Sequence, residues 1–239
     1  MATPASYATW TILPHGPLER LADNLWRVEG TLPSMPLKRV MTVVRLASGD
    51  LLVHNPIALE ARKMAELDAL GPVAFLVIPN GWHRLDLQAF RGRYPSAKVL
   101  APSGSHDKVA TVAPDVTDLR ALPADPTVSL DVMEGTANME AVMTVKSPDG
   151  ISAVFTDAVF NMPHLSGFHG FILRHITGSS GGPRISRVAR FFMIKDKAAF
   201  ASHLERLATP ELRRVIVAHH QTITDDPAGT LRRVAATVR

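Results

Sequence analysis

The sequence predicts one α/β (α+β) domain spanning residues 1–239, in which two mixed β-sheets pack together with helices on the outside. Three observations carry that expectation. Short β-branched runs closed by turn residues recur along the chain, two pairs of them form tight hairpins, and helical patterns alternate with the rest. Hairpins followed by alternating helices and strands imply mixed sheets covered by helices, because every amphipathic element must bury one face. With 46% hydrophobic and 20% charged side chains the chain can fill one large core, and no repeat or linker divides it.

The elements follow in order. Strands are expected at Leu25 to Val28, Val40 to Leu46 and Leu51 to His54, the last two joined through Ser48-Gly49-Asp50. Ala58 to Leu70 sets Leu59, Met64, Leu67 and Leu70 on one helical face and stops at Gly71-Pro72. A strand at Val73 to Ile78, a helix at Leu85 to Tyr94 and a strand at Lys98 to Ala101 come next. Ala141 to Val145 and Ile151 to Thr156 form a second hairpin about Pro148-Asp149-Gly150. Helices at Lys197 to Leu207 and Ala228 to Val238 flank a last strand, Val215 to Ala218. Pro163 to Pro183, rich in His, Phe and Gly, reads as a long loop. Phe168, Phe171, Phe191 and Phe192 suit a ligand-covering lid or a subunit contact, although Phe191-Phe192-Met193-Ile194 is expected in the core.

Composition narrows the function classes. The net charge of +4 reads as a mild excess spread along the chain, so nucleic-acid binding ranks last and a small-molecule ligand first. Zero cysteines exclude disulfides, thiolate metal sites and a Cys nucleophile, and suit a reducing compartment such as the cytoplasm. Met1 to Pro14 lacks the basic start and apolar run of a signal peptide. Apolar stretches such as Val73 to Pro79 are far short of the ~20 residues that cross a bilayer, so no membrane partner is expected. Self-association into a homo-oligomer stays open.

Polar side chains gather just where the predicted strands end: His54, the Asn80/His83/Asp86 cluster, Asp157 and the pair His219-His220. Strand ends are where a layered scaffold converges residues distant in sequence. One such histidine is usually a structural residue, but here each polar group follows an apolar strand and meets a turn. Side chains alternate along a strand, so His219 rather than His220 should face a shared site, with His220 toward solvent or a helix. Ser103-Gly104-Ser105-His106 lacks the turn of a serine nucleophile and reads as a loop with a stray histidine, and Gly178-Ser179-Ser180-Gly181-Gly182 lacks the Lys of a phosphate loop.

These segments carry a family resemblance. Gly49 to Pro56, Val77 to Asp86, Gly150 to Asn161 and Val215 to His219 resemble, in order and spacing, the metal-site segments of the metallo-β-lactamase-like superfamily. The His54-Asn55-Pro56, Pro79-Asn80 and Thr156-Asp157 pieces look more like a bacterial branch of it than a β-lactamase. The resemblance covers about residues 22 to 235 and implies an αββα sandwich with a site at one edge between the sheets. It also implies losses. The superfamily's His-x-His-x-Asp-His loop is matched by Asn80, Trp82, Arg84 and Leu85, and its mid-chain His by Thr136. Asp157 and His219 alone stand at their ligand positions.

A catalytic zinc takes about four N or O donors at roughly 2.0–2.2 Å and keeps one position for water. Two inherited ligands cannot hold it, so the resemblance implies a largely lost site and a pseudoenzyme or small-molecule binder without cofactor. The other expectation is a hydrolase of an ester, thioester or phosphoester with a rebuilt mononuclear site. His83, with His54 or Asp86, would then join Asp157 and His219 around a single zinc, iron or manganese ion.

Overall fold

The computed structural model describes residues 6–33 and 35–239. The N-terminal half forms a seven-stranded sheet in chain order. Its strands are β1 (Glu19–Ala22), β2 (Leu25–Leu32), β3 (Met35–Arg45), β4 (Leu51–His54), β5 (Val73–Val77), β6 (Lys98–Ala101) and β7 (Thr117–Asp118). Pairing is antiparallel from β1 to β4 and parallel from β4 to β7. The change at β4 follows from the connections. Ser48-Gly49-Asp50 returns the chain at once, whereas β4 to β5 carries α1 (Ala61–Asp68), and parallel neighbours need such a crossover. Gly71, which ends that crossover, has φ 151, and a Cβ there would lie 2.3 Å from the carbonyl oxygen of Gly49. Two further helices follow, α2 (Leu87–Arg93) and α3 (His106–Ala110).

β8 (Val128–Val132), β9 (Ala141–Ser147) and β10 (Gly150–Phe155) pair antiparallel in the second sheet. The chain then leaves the sheet for a ribbon of β11 (Phe160–Met162) and β12 (Gly182–Arg184), between which lie α4 (Gly167–Phe171) and a π-helical turn at Ile172–Ile176. After a second π-helical turn at Ala189–Met193 and α5 (Lys197–Leu207), β13 (Leu212–Val217) pairs parallel with β10, and α6 (Pro227–Ala236) ends the fold. Asp196 and Asp226 cap α5 and α6 by accepting from the amides of Ala199 and Gly229, both at 3.0 Å.

Alternation along the strands produces four layers. Val44, Leu52 and Val77 of the large sheet meet Met143, Val154 and Ile216 of the small one. The opposite face of the large sheet buries Val43 and Val53 against Met64 and Leu67 of α1 and Phe90 of α2. The opposite face of the small sheet buries Phe155 and Val215 against Phe200 and Leu204 of α5 and Leu231 and Val234 of α6. The molecule is an αββα sandwich, as the sequence predicts.

Three expectations fail. The supposed loop of Pro163 to Pro183 holds α4, a π-helical turn and β12. Phe191 and Phe192 are not core residues but are 74% and 69% exposed. The π-helical turn that carries them buries Ala189 and Met193, which turns the intervening rings outward. The stretch Ser103 to His106, read as a loop, forms a tight turn leading into α3. There the Ser105 hydroxyl donates to the Met139 carbonyl (2.8 Å) and accepts from the Gly81 amide (3.0 Å), a structural role.

Candidate metal centre

The site lies where four strands end. β4 and β5 run parallel in one sheet, β10 and β13 run parallel in the other, and the segments after all four meet at one edge. Backbone hydrogen bonds join the sheets there: Val40 N–H to the Ala218 carbonyl (2.9 Å) and Ala141 N–H to the Pro79 carbonyl (2.7 Å). Across that seam the donor atoms of His83, Asp157 and His219 come within 4.8 Å of one another.

Each imidazole is held by its Nδ1. His219 Nδ1 lies 2.8 Å from the Lys38 carbonyl oxygen, which can only accept, so Nδ1 carries the hydrogen. His83 Nδ1 faces the Asn55 amide oxygen at 3.2 Å, while the same amide group donates its own hydrogen to the Val40 carbonyl at 2.8 Å. Asn55 reaches this position through a left-handed backbone (φ 55), which asparagine tolerates. Both rings therefore turn Nε2 to Asp157: His219 at 3.1 Å from Oδ1, His83 at 3.4 Å from Oδ1 and 3.3 Å from Oδ2. Phe160 stacks on His219, with ring centroids 5.1 Å apart and planes 11° apart.

A second layer holds Asp157. Asn80 Nδ2 donates to Asp157 Oδ2 (2.9 Å) and to Glu140 Oε2 (3.2 Å), while its carbonyl oxygen accepts from the Trp82 amide (2.9 Å). Glu140 is fully buried, and its other oxygen accepts from the amides of Ala158 (2.7 Å) and Thr156 (3.2 Å). Burial and the neighbouring Asp157 charge push the Glu140 carboxyl up to about 8. Burial also opposes ionisation of Asp157, but the two imidazoles outweigh it and hold that carboxyl well below the usual range. Burial opposes protonation of His219 in turn, and Asp157 overcomes it and raises the ring.

The residues fit a metal ion. A four-coordinate ion with bonds of about 2.0–2.1 Å has donor–donor edges of about 3.3 Å. Measured to one oxygen, Asp157 Oδ1, the two Nε2 atoms lie at 3.1 and 3.4 Å, close to that edge. With both Nδ1 hydrogens spent on oxygen acceptors, the Nε2 lone pairs are presented together with an anionic oxygen, as second-layer hydrogen bonds prepare ligands in metalloproteins.

Two cavities share these groups. One, of about 200 Å³, is lined by Arg39, Asn55, His83 and Leu85 together with Trp82, Asp157 and His219. The other, of about 490 Å³, is mostly apolar, with Leu37, Phe160, Leu173, Phe192 and Met193 in its walls and Asp157 and His219 at one side. Trp82 borders both, half exposed, with Lys108 Nζ 3.9 Å from its ring centroid.

The expected ligands thus part company. His83, Asp157 and His219 come together, whereas His54 stands outside the group. It points between the sheets, buried, with neither ring nitrogen hydrogen-bonded, and burial lowers it to about 3. Asp86 does not join either. It accepts from Arg39 Nη1 at 2.5 Å and from the Ala58 amide at 3.2 Å. Thr136, matched to the mid-chain His, turns its hydroxyl to the Met133 carbonyl at 2.6 Å. His220 faces neither solvent nor a helix. It is buried with φ 71, and its Nε2 accepts from the Lys38 amide at 3.3 Å. Glu140 escaped notice because Met139-Glu140-Ala141 belongs to no motif. Its one signal is a lone acid at the start of an otherwise apolar strand.

Solved structures with the same architecture include metallo-β-lactamases. FIM-1 from Pseudomonas aeruginosa, in its mono-zinc form, superposes with a TM-score of 0.61 at 11% identity over 99% of this chain and 98% of that one. An enzyme from Erythrobacter litoralis, with β-mercaptoethanol in its active site, gives 0.58 at 12% identity over 92% and 96%. DIM-1 gives 0.61 at 10% identity over 96% and 100%. No family model matches the sequence, and no curated protein is significantly similar to it. The fold is that of the metallo-β-lactamases.

Proposed function

We propose that this metallo-β-lactamase fold binds a single divalent metal ion on His83, Asp157 and His219 and hydrolyses an ester, thioester or phosphoester bearing an apolar group. The observation that carries this reading is the common orientation of the two imidazoles, each fixed through Nδ1 and each offering Nε2 to one carboxylate. Protons on both Nε2 atoms would satisfy Asp157 equally, and exchange of those protons for one cation is the behaviour expected of a metal site. That FIM-1 has a mono-zinc form supports one ion as sufficient for this architecture.

Bound there, the ion would supply a Lewis acid to a carbonyl or phosphoryl oxygen. Asn80 fixes the angle of Asp157 by holding Oδ2. The cavity of about 490 Å³ suits the apolar part of a substrate and keeps water from it, while Trp82 separates that part from the polar cleft beside Arg39. Zinc, iron and manganese all suit two imidazoles and a carboxylate.

A second reading, a small-molecule binder without turnover, is favoured by Asn80. It stands at a ligand position of the family motif, and its amide is committed to Glu140 and Asp157. The experiment that separates these readings is metal analysis of the purified protein and of His83→Ala, Asp157→Ala and His219→Ala. It is paired with turnover of esters and phosphodiesters of increasing acyl length. One metal per chain, lost in each variant, and chelator-sensitive turnover support the hydrolase. Metal without turnover leaves a binder that keeps its ion, and no metal in the parent protein removes the hydrolase and supports the binder with a lost metal site.

A further inference from the structure

The chain's basic character is concentrated in one segment. Residues 158–195 contain no Asp or Glu and five cations, Arg174, Arg184, Arg187, Arg190 and Lys195. From chain totals of 26 basic and 22 acidic side chains this leaves 21 and 22 for the other 201 residues, so the excess is not spread along the chain. Among the described residues, none of the five enters an ion pair, although arginines elsewhere pair repeatedly.

The same segment carries most of the molecule's large exposed apolar side chains. Phe168, Phe171, Ile176, Val188, Phe191 and Phe192 are 74, 57, 60, 50, 74 and 69% exposed. Its two π-helical turns are tied together, since the Arg187 amide donates to the Thr177 carbonyl (2.7 Å) and its guanidinium to that of His175. Val188 and Phe192 also line the large apolar cavity, so the exposed surface is continuous with it.

We propose that this face docks on an anionic lipid bilayer, with the phenylalanines in the boundary between headgroups and acyl chains and the arginines on lipid phosphates. Exposed apolar rings interleaved with unpaired cations are the composition that binds such an interface, and each part alone would be weak. Two other occupants fit less well. A second copy docked symmetrically would set the unpaired cations against themselves. Duplex nucleic acid would meet the cations but give the rings nothing apolar to enter. Among the described residues no helix is long and apolar enough to cross a membrane, which bears on spanning and not on this surface. The proposal does not rest on the metal: docking uses none of His83, Asp157 or His219.

The test is co-sedimentation of the full chain with vesicles of phosphatidylcholine alone and of phosphatidylcholine mixed with phosphatidylglycerol. Binding is expected only to the mixed vesicles and is expected to weaken with added salt. Arg174→Gln should weaken it about fivefold, and the double variant Phe191→Ser, Phe192→Ser by more than about tenfold. All three residues are exposed, so thermal melting should show the variants folded, and Asp157→Ala should bind vesicles as the parent does. The idea is overturned by equal binding to both vesicle types, by no binding to either, or by binding indifferent to the double Phe variant. A dimer abolished by that variant, or displacement from vesicles by a single-stranded oligonucleotide at matched charge, would replace the membrane with those partners.

Discussion

Asp86, fully buried at the start of α2, and Asp157, partly exposed just past β10, are neutralised in different ways. Asp86 meets Arg39, a guanidinium that keeps its charge at any ordinary pH. Asp157 meets two imidazoles, whose protons can leave. A permanent counter-charge makes a buried carboxylate part of the scaffold. A removable one leaves it able to exchange its partner for another cation. The comparison explains why one conspicuous acid of the Asn80/His83/Asp86 cluster serves the scaffold while the distant Asp157 is the centre of the proposed site.

The largest expected effect breaks the scaffold side of this comparison. Asp86→Ala would leave the Arg39 guanidinium buried without its partner, which costs about 3–5 kcal/mol. Denaturant unfolding should show that loss while metal affinity per folded molecule changes little. A loss below about 1 kcal/mol would mean that Arg39 finds another acceptor. Next, Asp157→Ala should weaken metal binding by more than about a hundredfold, beyond what loss of an outer hydrogen-bond partner produces. Titration calorimetry reads it, and an unchanged affinity would relocate the ion.

Two buried groups sharpen the comparison through pH. Glu140 is raised from 4.5 to about 8, so the folded state holds a proton that the unfolded chain has lost over that range. Its contribution to stability is therefore full below about 4.5 and disappears as pH rises through about 8. Glu140→Gln should melt at a higher temperature than the parent at pH 8, with the difference shrinking at pH 5. His54 works in the other direction. Lowered from 6.5 to about 3, it is kept neutral by the fold, and its contribution is present above 6.5 and lost as pH falls toward 3. His54→Leu should flatten the acid limb of the melting curve, and an unaltered limb would show that His54 is hydrated in the folded state.

The smallest effect separates neighbours. His219→Ala should abolish metal binding, whereas His220→Ala should change affinity by less than about tenfold, because His220 only supports the Lys38 strand that orients His219. Equal losses would mean that the Lys38 segment, rather than the ring of His219, controls the site.

Much of this was legible in the sequence, for identifiable reasons. Leu51 to His54, Lys98 to Ala101 and Lys197 to Leu207 coincide with β4, β6 and α5 because hydrophobic period and turn residues agree there. β7 and β8 were not, since Thr117–Asp118 is two residues long and Val128–Val132 is interrupted by polar side chains. His83, Asp157 and His219 were legible through strand ends. The separation of His54 and Asp86 from them was not: His54 is still inside β4 and shares the inter-sheet face of Leu52, while the turn of Asp86 depends on a partner, Arg39, that no spacing encodes. Phe191 and Phe192 misled for a related reason. Hydrophobicity marks a residue for burial only if a neighbour covers it, and the turn at Ala189–Met193 spends its inner face on smaller side chains.

His83 follows a strand of the large sheet and lies 74 positions from Asp157, which, with His219 a further 62 positions on, follows a strand of the small sheet, so the cluster forms only when the two halves of the sandwich have already met. Chain closure over such spans is slow, and groups that join after the rate-limiting encounter add nothing to the speed of folding. Whatever occupies the centre would instead act as a clasp on the finished seam, lengthening the lifetime of the native state by slowing its opening.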